Sequence, residues 1–79
     1  MLRIRNYYEN KFREYPDMVD LLTFRQMMGG ISDSFARLLI HENRVQHIFV
    51  KPHYWISKRS IIDYLLSDDY ATRRLKVRV

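Results

Sequence analysis

The stretch that decides the fold is His47–Ser57, "HIFVKPHYWIS", in which two apolar, β-prone runs meet at a Lys51-Pro52-His53 corner. Runs of Ile, Phe, Val, Tyr and Trp on either side of a proline are the composition of a β-hairpin. Pro52 suits the first corner of a type I or II turn, and the lack of Asn-Gly points to a looser loop. With a three-residue corner, period-two alternation puts Ile48, Val50, Tyr54 and Ile56 on the core side. His47, Phe49 and Trp55 then lie on the other face.

Upstream of the hairpin the spacing changes from two to three and four. "ISDSFARLLIHENR" offers Ser32 as N-cap, Asp33 at the positive helix end, and Phe35, Ala36, Leu39 and Ile40 as one apolar side. Asn43 is placed to end this helix in a left-handed conformation. Before it, "DMVDLLTFRQMMGG" reads as a helix capped by Asp20 and stopped by Gly29-Gly30, with a second start available at Thr23, whose partner Gln26 completes a capping box. Leu21, Phe24, Met27 and Met28 form its buried side. A small Ala36 lets the two helices approach closely.

Downstream, Ser57 or Ser60 opens a further helix, "KRSIIDYLLSDD", that buries Ile61, Ile62, Leu65 and Leu66. At the N-terminus, Ile4, Tyr8, Phe12 and Tyr15 share one face of a helix that Pro16 ends. This aromatic face is expected to pack on the domain and to cover Phe49 and Trp55; failing that, the two form an exposed patch. The last residues, "YATRRLKVRV", read as a mobile basic tail or as an edge strand through Leu75, Val77 and Val79. Three parts result: an N-terminal helix over 1–15, a domain over 16–67 and a tail over 68–79.

The fold class expected is therefore α+β. Helix, turn, helix, hairpin, helix is the element order of a small winged helix-turn-helix, here with an extra N-terminal helix.

Seventy-nine residues suffice for one domain, and a chain of this size buries only about 60–65% of its unfolded surface. Cysteine is absent, so no disulfide or thiolate metal site is available, and packing must supply the stability. No apolar run has the length of a membrane span or a signal peptide, and a cytoplasmic location is expected. The net charge of +5 favours a polyanionic partner. Residues 1–20 cancel to neutrality, so the excess lies in the middle and the tail.

Residues 16–66 resemble the excisionase family, small DNA-binding proteins related to the MerR-type winged helix-turn-helix. The resemblance rests on "PDMVD", "LLTFRQMMGGIS", "DSFARLLI", "NRV", "HIFV", "KPH", "YWIS" and "KRSIIDYLL" in that order. Departures are the second glycine in the turn, Asn43 and Lys51 at positions where glycine is usual, and Tyr54 where tryptophan is usual. Asp33 and Leu38 stand where such proteins often carry basic or polar contact residues. The resemblance implies a sequence-specific architectural protein that bends DNA at a mobile element's end for a separate integrase, with cooperative self-association on DNA. It also implies a bacterial cytosol or nucleoid. A small transcriptional regulator, or an interaction module that has lost DNA binding, are the alternatives.

In such a domain the second helix of the pair reads base edges and the hairpin touches flanking phosphates. The residues so placed are Ser34, Arg37 and His41 on the helix, and Arg44, Lys51, His53, Lys58 and Arg59 at the base, tip and far end of the hairpin. Arg37 is the best candidate, because a guanidinium pairs with guanine through two hydrogen bonds. His41, His47 and His53 recur every sixth residue, but one would sit on a helix and two on a hairpin, without cysteine, so no metal site is expected. No cofactor is expected either. Neither a phosphate-binding glycine loop nor a nucleophile with a matched base is present, and the reading is non-enzymatic.

Overall fold

Three polar side chains start helices where the backbone leaves an extended conformation. Asp20 accepts from the Thr23 amide, Ser32 from that of Phe35, and Ser57 from that of Ser60. Each satisfies a donor that the first helical turn cannot. The computed structural model describes the backbone of residues 2–78 and the side chains of residues 4–73. Its elements are α1 (Leu2–Lys11), β1 (Met18–Asp20), α2 (Leu21–Met27), α3 (Asp33–His41), β2 (His47–Val50), β3 (His53–Ser57), α4 (Lys58–Leu65) and α5 (Asp68–Arg78).

Helix ends follow equally local rules. Gly29 takes φ 89° after α2, and Asn43 takes φ 57° after α3. In both, paired backbone bonds close the last turn: Gly30 N–H to Arg25 O with Gly29 N–H to Gln26 O, and Arg44 N–H to Leu39 O with Asn43 N–H to Ile40 O. These are Schellman motifs, which need a left-handed residue after the cap.

The molecule is a small α+β domain with a three-stranded antiparallel sheet in the order β1-β3-β2. β1 is an element that the sequence reading does not contain. Its Val19 pairs with Ile56 and is buried, while Met18 and Asp20 on either side are exposed. Phe24, Leu39, Ile56 and Ile61 are the largest fully buried side chains, one each from α2, α3, β3 and α4. Each contributes about 1.5–3 kcal/mol. Ala36 is fully buried where α2 and α3 meet. Ser60 ties β2 to α4: its Oγ accepts from Gln46 N–H at 3.0 Å and donates to the Ser57 carbonyl at 2.9 Å.

The hairpin corrects the expected faces of β2. Val50 pairs with His53, so the loop is Lys51-Pro52 alone, with a cis peptide bond between them and Pro52 at the second corner rather than the first. One residue fewer in the loop flips every β2 side chain relative to β3. Val19, His47, Phe49, Tyr54 and Ile56 share the core side, and Met18, Ile48, Val50 and Trp55 share the outer side. Tyr54 and Ile56 point inward as expected; Ile48 and Val50 do not, and are 54% and 57% exposed.

Both chain ends also depart from expectation. α1 stops at Lys11, and Phe12–Tyr15 continue in tight turns, since Pro16 disfavours a helical Tyr15 and cannot coexist with a helical carbonyl at Phe12. Phe12 is buried and stacks on Tyr8, while Ile4 is exposed. α1 packs on α4 and, against expectation, shields neither Trp55 on the outer face nor Phe49 on the opposite one; both are exposed. Where a mobile tail is expected, the chain is instead helical over Asp68–Arg78 and packs on α4, with Tyr70 against Tyr64 at 5.8 Å.

Candidate nucleic-acid interface

α3 carries an amphipathic split: Ala36, Leu39 and Ile40 are buried, and Asp33, Ser34, Arg37, Leu38 and His41 are exposed. Arg37 is the centre of this exposed face. Its Nε donates to Asp33 Oδ2 at 2.7 Å, and its guanidinium lies 5.9 Å from the Tyr54 ring centre. Tyr54 in turn lies 4.8 Å from Phe49. A run of side chains therefore crosses from α3 through β3 to β2, which makes the helix face and the hairpin one continuous surface. Ser34 is exposed beside the Ser32 cap, with their hydroxyls 3.3 Å apart.

Lys51 and His53 stand exposed at the hairpin tip. His47 is half-buried, with Nδ1 3.1 Å from the Val45 carbonyl and its ring 6.0 Å from Tyr54. No cluster of three metal-ligating side chains occurs among the described residues.

The other three cations are placed differently. Arg44 belongs to a charge network at the end of α3: its Nε donates to Glu42 at 3.2 Å, its guanidinium lies 3.5 Å from Asp69, and Arg73 bonds the same two carboxylates. Tyr64 Oη donates to Asp69 Oδ2 at 2.7 Å. That bond holds the Asp69 carboxyl below the usual aspartate range, with Arg44 and Arg73 adding to it. Burial, reinforced by Asp69, pushes the Tyr64 phenol well above its ordinary value. Lys58 is turned inward: Nζ donates to the Tyr15 carbonyl at 2.8 Å and to that of Phe12 at 3.4 Å. Its ammonium group is thereby committed to the turns after α1. Arg59 faces a shallow cleft between α1 and α4 that Arg5, Arg13, Glu9 and Asp17 also line.

Of the eight residues picked from sequence, Ser34, Arg37 and His41 share the exposed face of α3, and Lys51 and His53 stand at the hairpin tip, with His53 on the outer sheet face beside Val50 and Trp55, opposite the Tyr54 face that meets Arg37. Tyr54 and Phe49 are members that sequence reasoning missed. The signal lay in the loop length, since only the two-residue loop puts both rings on the same face of the hairpin.

Among the described residues no helix is long and apolar enough to cross a membrane. Comparison with family models, with curated proteins and with solved structures finds no match for this chain, so its functional reading stands on its sequence and geometry.

Proposed function

We propose that this chain is a non-enzymatic, cytoplasmic protein that binds double-stranded DNA as a winged helix-turn-helix, with α3 as the reading helix and the β2–β3 hairpin as the wing. The observation that carries the reading is the packing of Arg37 on Tyr54, which ties the exposed face of α3 to the hairpin. A rigid helix-plus-hairpin surface suits a duplex: α3 enters the major groove, and Lys51 at the tip meets the flanking backbone. Arg37 would read guanine or anchor on phosphate, with Ser34 and His41 beside it.

Within that class, the excisionase-like order of motifs supports an architectural role in site-specific recombination, with an integrase as the partner that does the chemistry. Bending a site costs a few kcal/mol, which several small proteins bound side by side can share. Transcriptional regulation would use the same surface.

A second reading, an interaction module that does not bind DNA, is favoured by one feature of α3. Arg37 is paired with Asp33, and Leu38 is 41% exposed on the same helix. Fluorescence-anisotropy titration of a random-sequence duplex at low and high salt separates the two. Saturable binding that weakens steeply with salt is the expected result, and absence of binding at low salt would overturn the DNA reading.

A further inference from the structure

We propose that the chain self-associates through the open edge of β2, forming an antiparallel, two-fold pair of β2 strands with Ile48 opposite Ile48 of a second copy. β2 forms one margin of the sheet, because the strand order is β1-β3-β2. Ile48, Phe49 and Val50 are consecutive and are 54%, 55% and 57% exposed. Sheet edges in proteins that stay single are ordinarily blunted by charge, proline or a bulge within the strand. "HIFV" has none of these, and its only flanking fixed charge, Lys51, lies in the loop.

The internal ladder sets which backbone groups are free. Ser57 N–H donates to Gln46 O at 2.9 Å, so alternation makes Gln46/Ser57, Ile48/Trp55 and Val50/His53 the hydrogen-bonded pairs. The amide and carbonyl groups of His47 and Phe49 therefore point away from β3, towards the margin. A two-fold partner is the occupant that fits these groups. Placing Ile48 opposite its own copy sets His47 of each strand against Phe49 of the other, and both residues exchange their free bonds twice over. In that register Val50 meets Gln46, and Lys51 meets Val45, so no like charges are opposed. The outer face becomes continuous, with Trp55 next to Ile48 on each side of the two-fold.

The chain lacks cysteine, so a single engineered thiol reports the register. Opposed residues of a non-hydrogen-bonded pair have Cα atoms about 4.5 Å apart, within reach of a disulfide. Val50 and its copy would be roughly 14 Å apart along the strands. Under mild oxidation Ile48→Cys is expected to cross-link at least about tenfold faster than Val50→Cys. Sedimentation of the unmodified chain from about 10 µM to about 1 mM is expected to show mass rising towards a dimer. Phe49→Pro removes the outward N–H along with the ring and should raise the dissociation constant about tenfold or more, while Phe49→Ala, which removes the ring but keeps that N–H, changes it less than about threefold. Circular dichroism verifies that each variant is folded. A monomer at the highest concentration, equal cross-linking rates, or association that survives Phe49→Pro and is lost in Trp55→Ser would each overturn the proposal.

Discussion

Arg37 and Tyr54 lie on different elements, 5.9 Å from guanidinium to ring centre, and this is where α3 meets the hairpin. The same guanidinium donates through Nε to Asp33 at 2.7 Å. A base-reading arginine is most selective when its fork is oriented before DNA arrives, and an aromatic face with a carboxylate does that at a cost of partial neutralisation.

That geometry separates two variants. Arg37→Ala is expected to lose about 1–3 kcal/mol of affinity for a preferred site and much less for random duplex. Lys51→Ala should weaken both about equally and lower the slope of log affinity against log salt by about one. Anisotropy titrations of specific and random duplexes measure both. Parallel losses from the two variants would remove the reading role of Arg37.

Asp33→Asn offers the complementary test. The amide keeps a polar group at the start of α3 but frees the Arg37 charge and removes a phosphate-repelling carboxylate. DNA affinity at low salt is expected to rise by several-fold on the counterion-release argument. A fall would show that Asp33 positions Arg37 more than it opposes phosphate.

Lys58 is expected to matter for folding rather than for binding. Its ammonium group donates to two carbonyls in the turns between α1 and β1, that of Tyr15 at 2.8 Å and that of Phe12, which also accepts from the Tyr15 amide. Hydrogen bonds to a charged donor in a half-buried setting are worth about 1.5–3 kcal/mol. Lys58→Met should lower stability by about that much in urea unfolding, with the DNA salt slope unchanged. A changed slope with unchanged stability would return Lys58 to the interface.

The contact between Tyr64 and Asp69 makes acid stability depend on α5. The Asp69 carboxyl is depressed in the fold, chiefly by the Tyr64 hydroxyl, so its stabilisation is complete above the unfolded aspartate value of about 4. It is lost as pH falls through the lower, folded value. Asp20, depressed by the Thr23 hydrogen bonds, acts in the same direction. Asp69→Asn is therefore expected to lower Tm at pH 7 and to flatten the loss of Tm below about pH 4. Thermal scans from neutral to acid pH measure this, and parallel curves for the two proteins would exclude the contact.

Much of this architecture is legible in the sequence because its signals are local. Asp20, Ser32 and Ser57 cap the helices they precede, and Gly29, which has no Cβ, and Asn43, with its short polar side chain, adopt left-handed conformations. What is not legible depends on distant partners or on a count of one. Whether the loop holds two residues or three flips β2, and only pairing with β3 decides it. β1 is too short to show a pattern without Ile56 opposite Val19. Lys58 looks like any surface lysine until α1 is folded above it. At α5 two local signals conflict: Leu75, Val77 and Val79 alternate as in a strand, whereas Ser67 followed by Asp68 and Asp69 is a helix start. The second prevails, with Ser67 Oγ accepting from Tyr70 N–H at 3.3 Å.

Asn43 gives the sharpest stability test, because its backbone alone is at issue. At φ 57° a residue with a Cβ carries a penalty of about 1–2 kcal/mol that asparagine partly escapes and glycine avoids. Its amide and that of Arg44 close the end of α3, which places the exposed face carrying Arg37. Asn43→Gly is expected to hold or raise stability, and Asn43→Val to lower it by about 1–2 kcal/mol in urea unfolding. Because α3 is fixed at its other end by Ser32, neither change should alter DNA discrimination by more than a few-fold. Equal stability for the glycine and valine variants would mean that α3 ends without the left-handed turn.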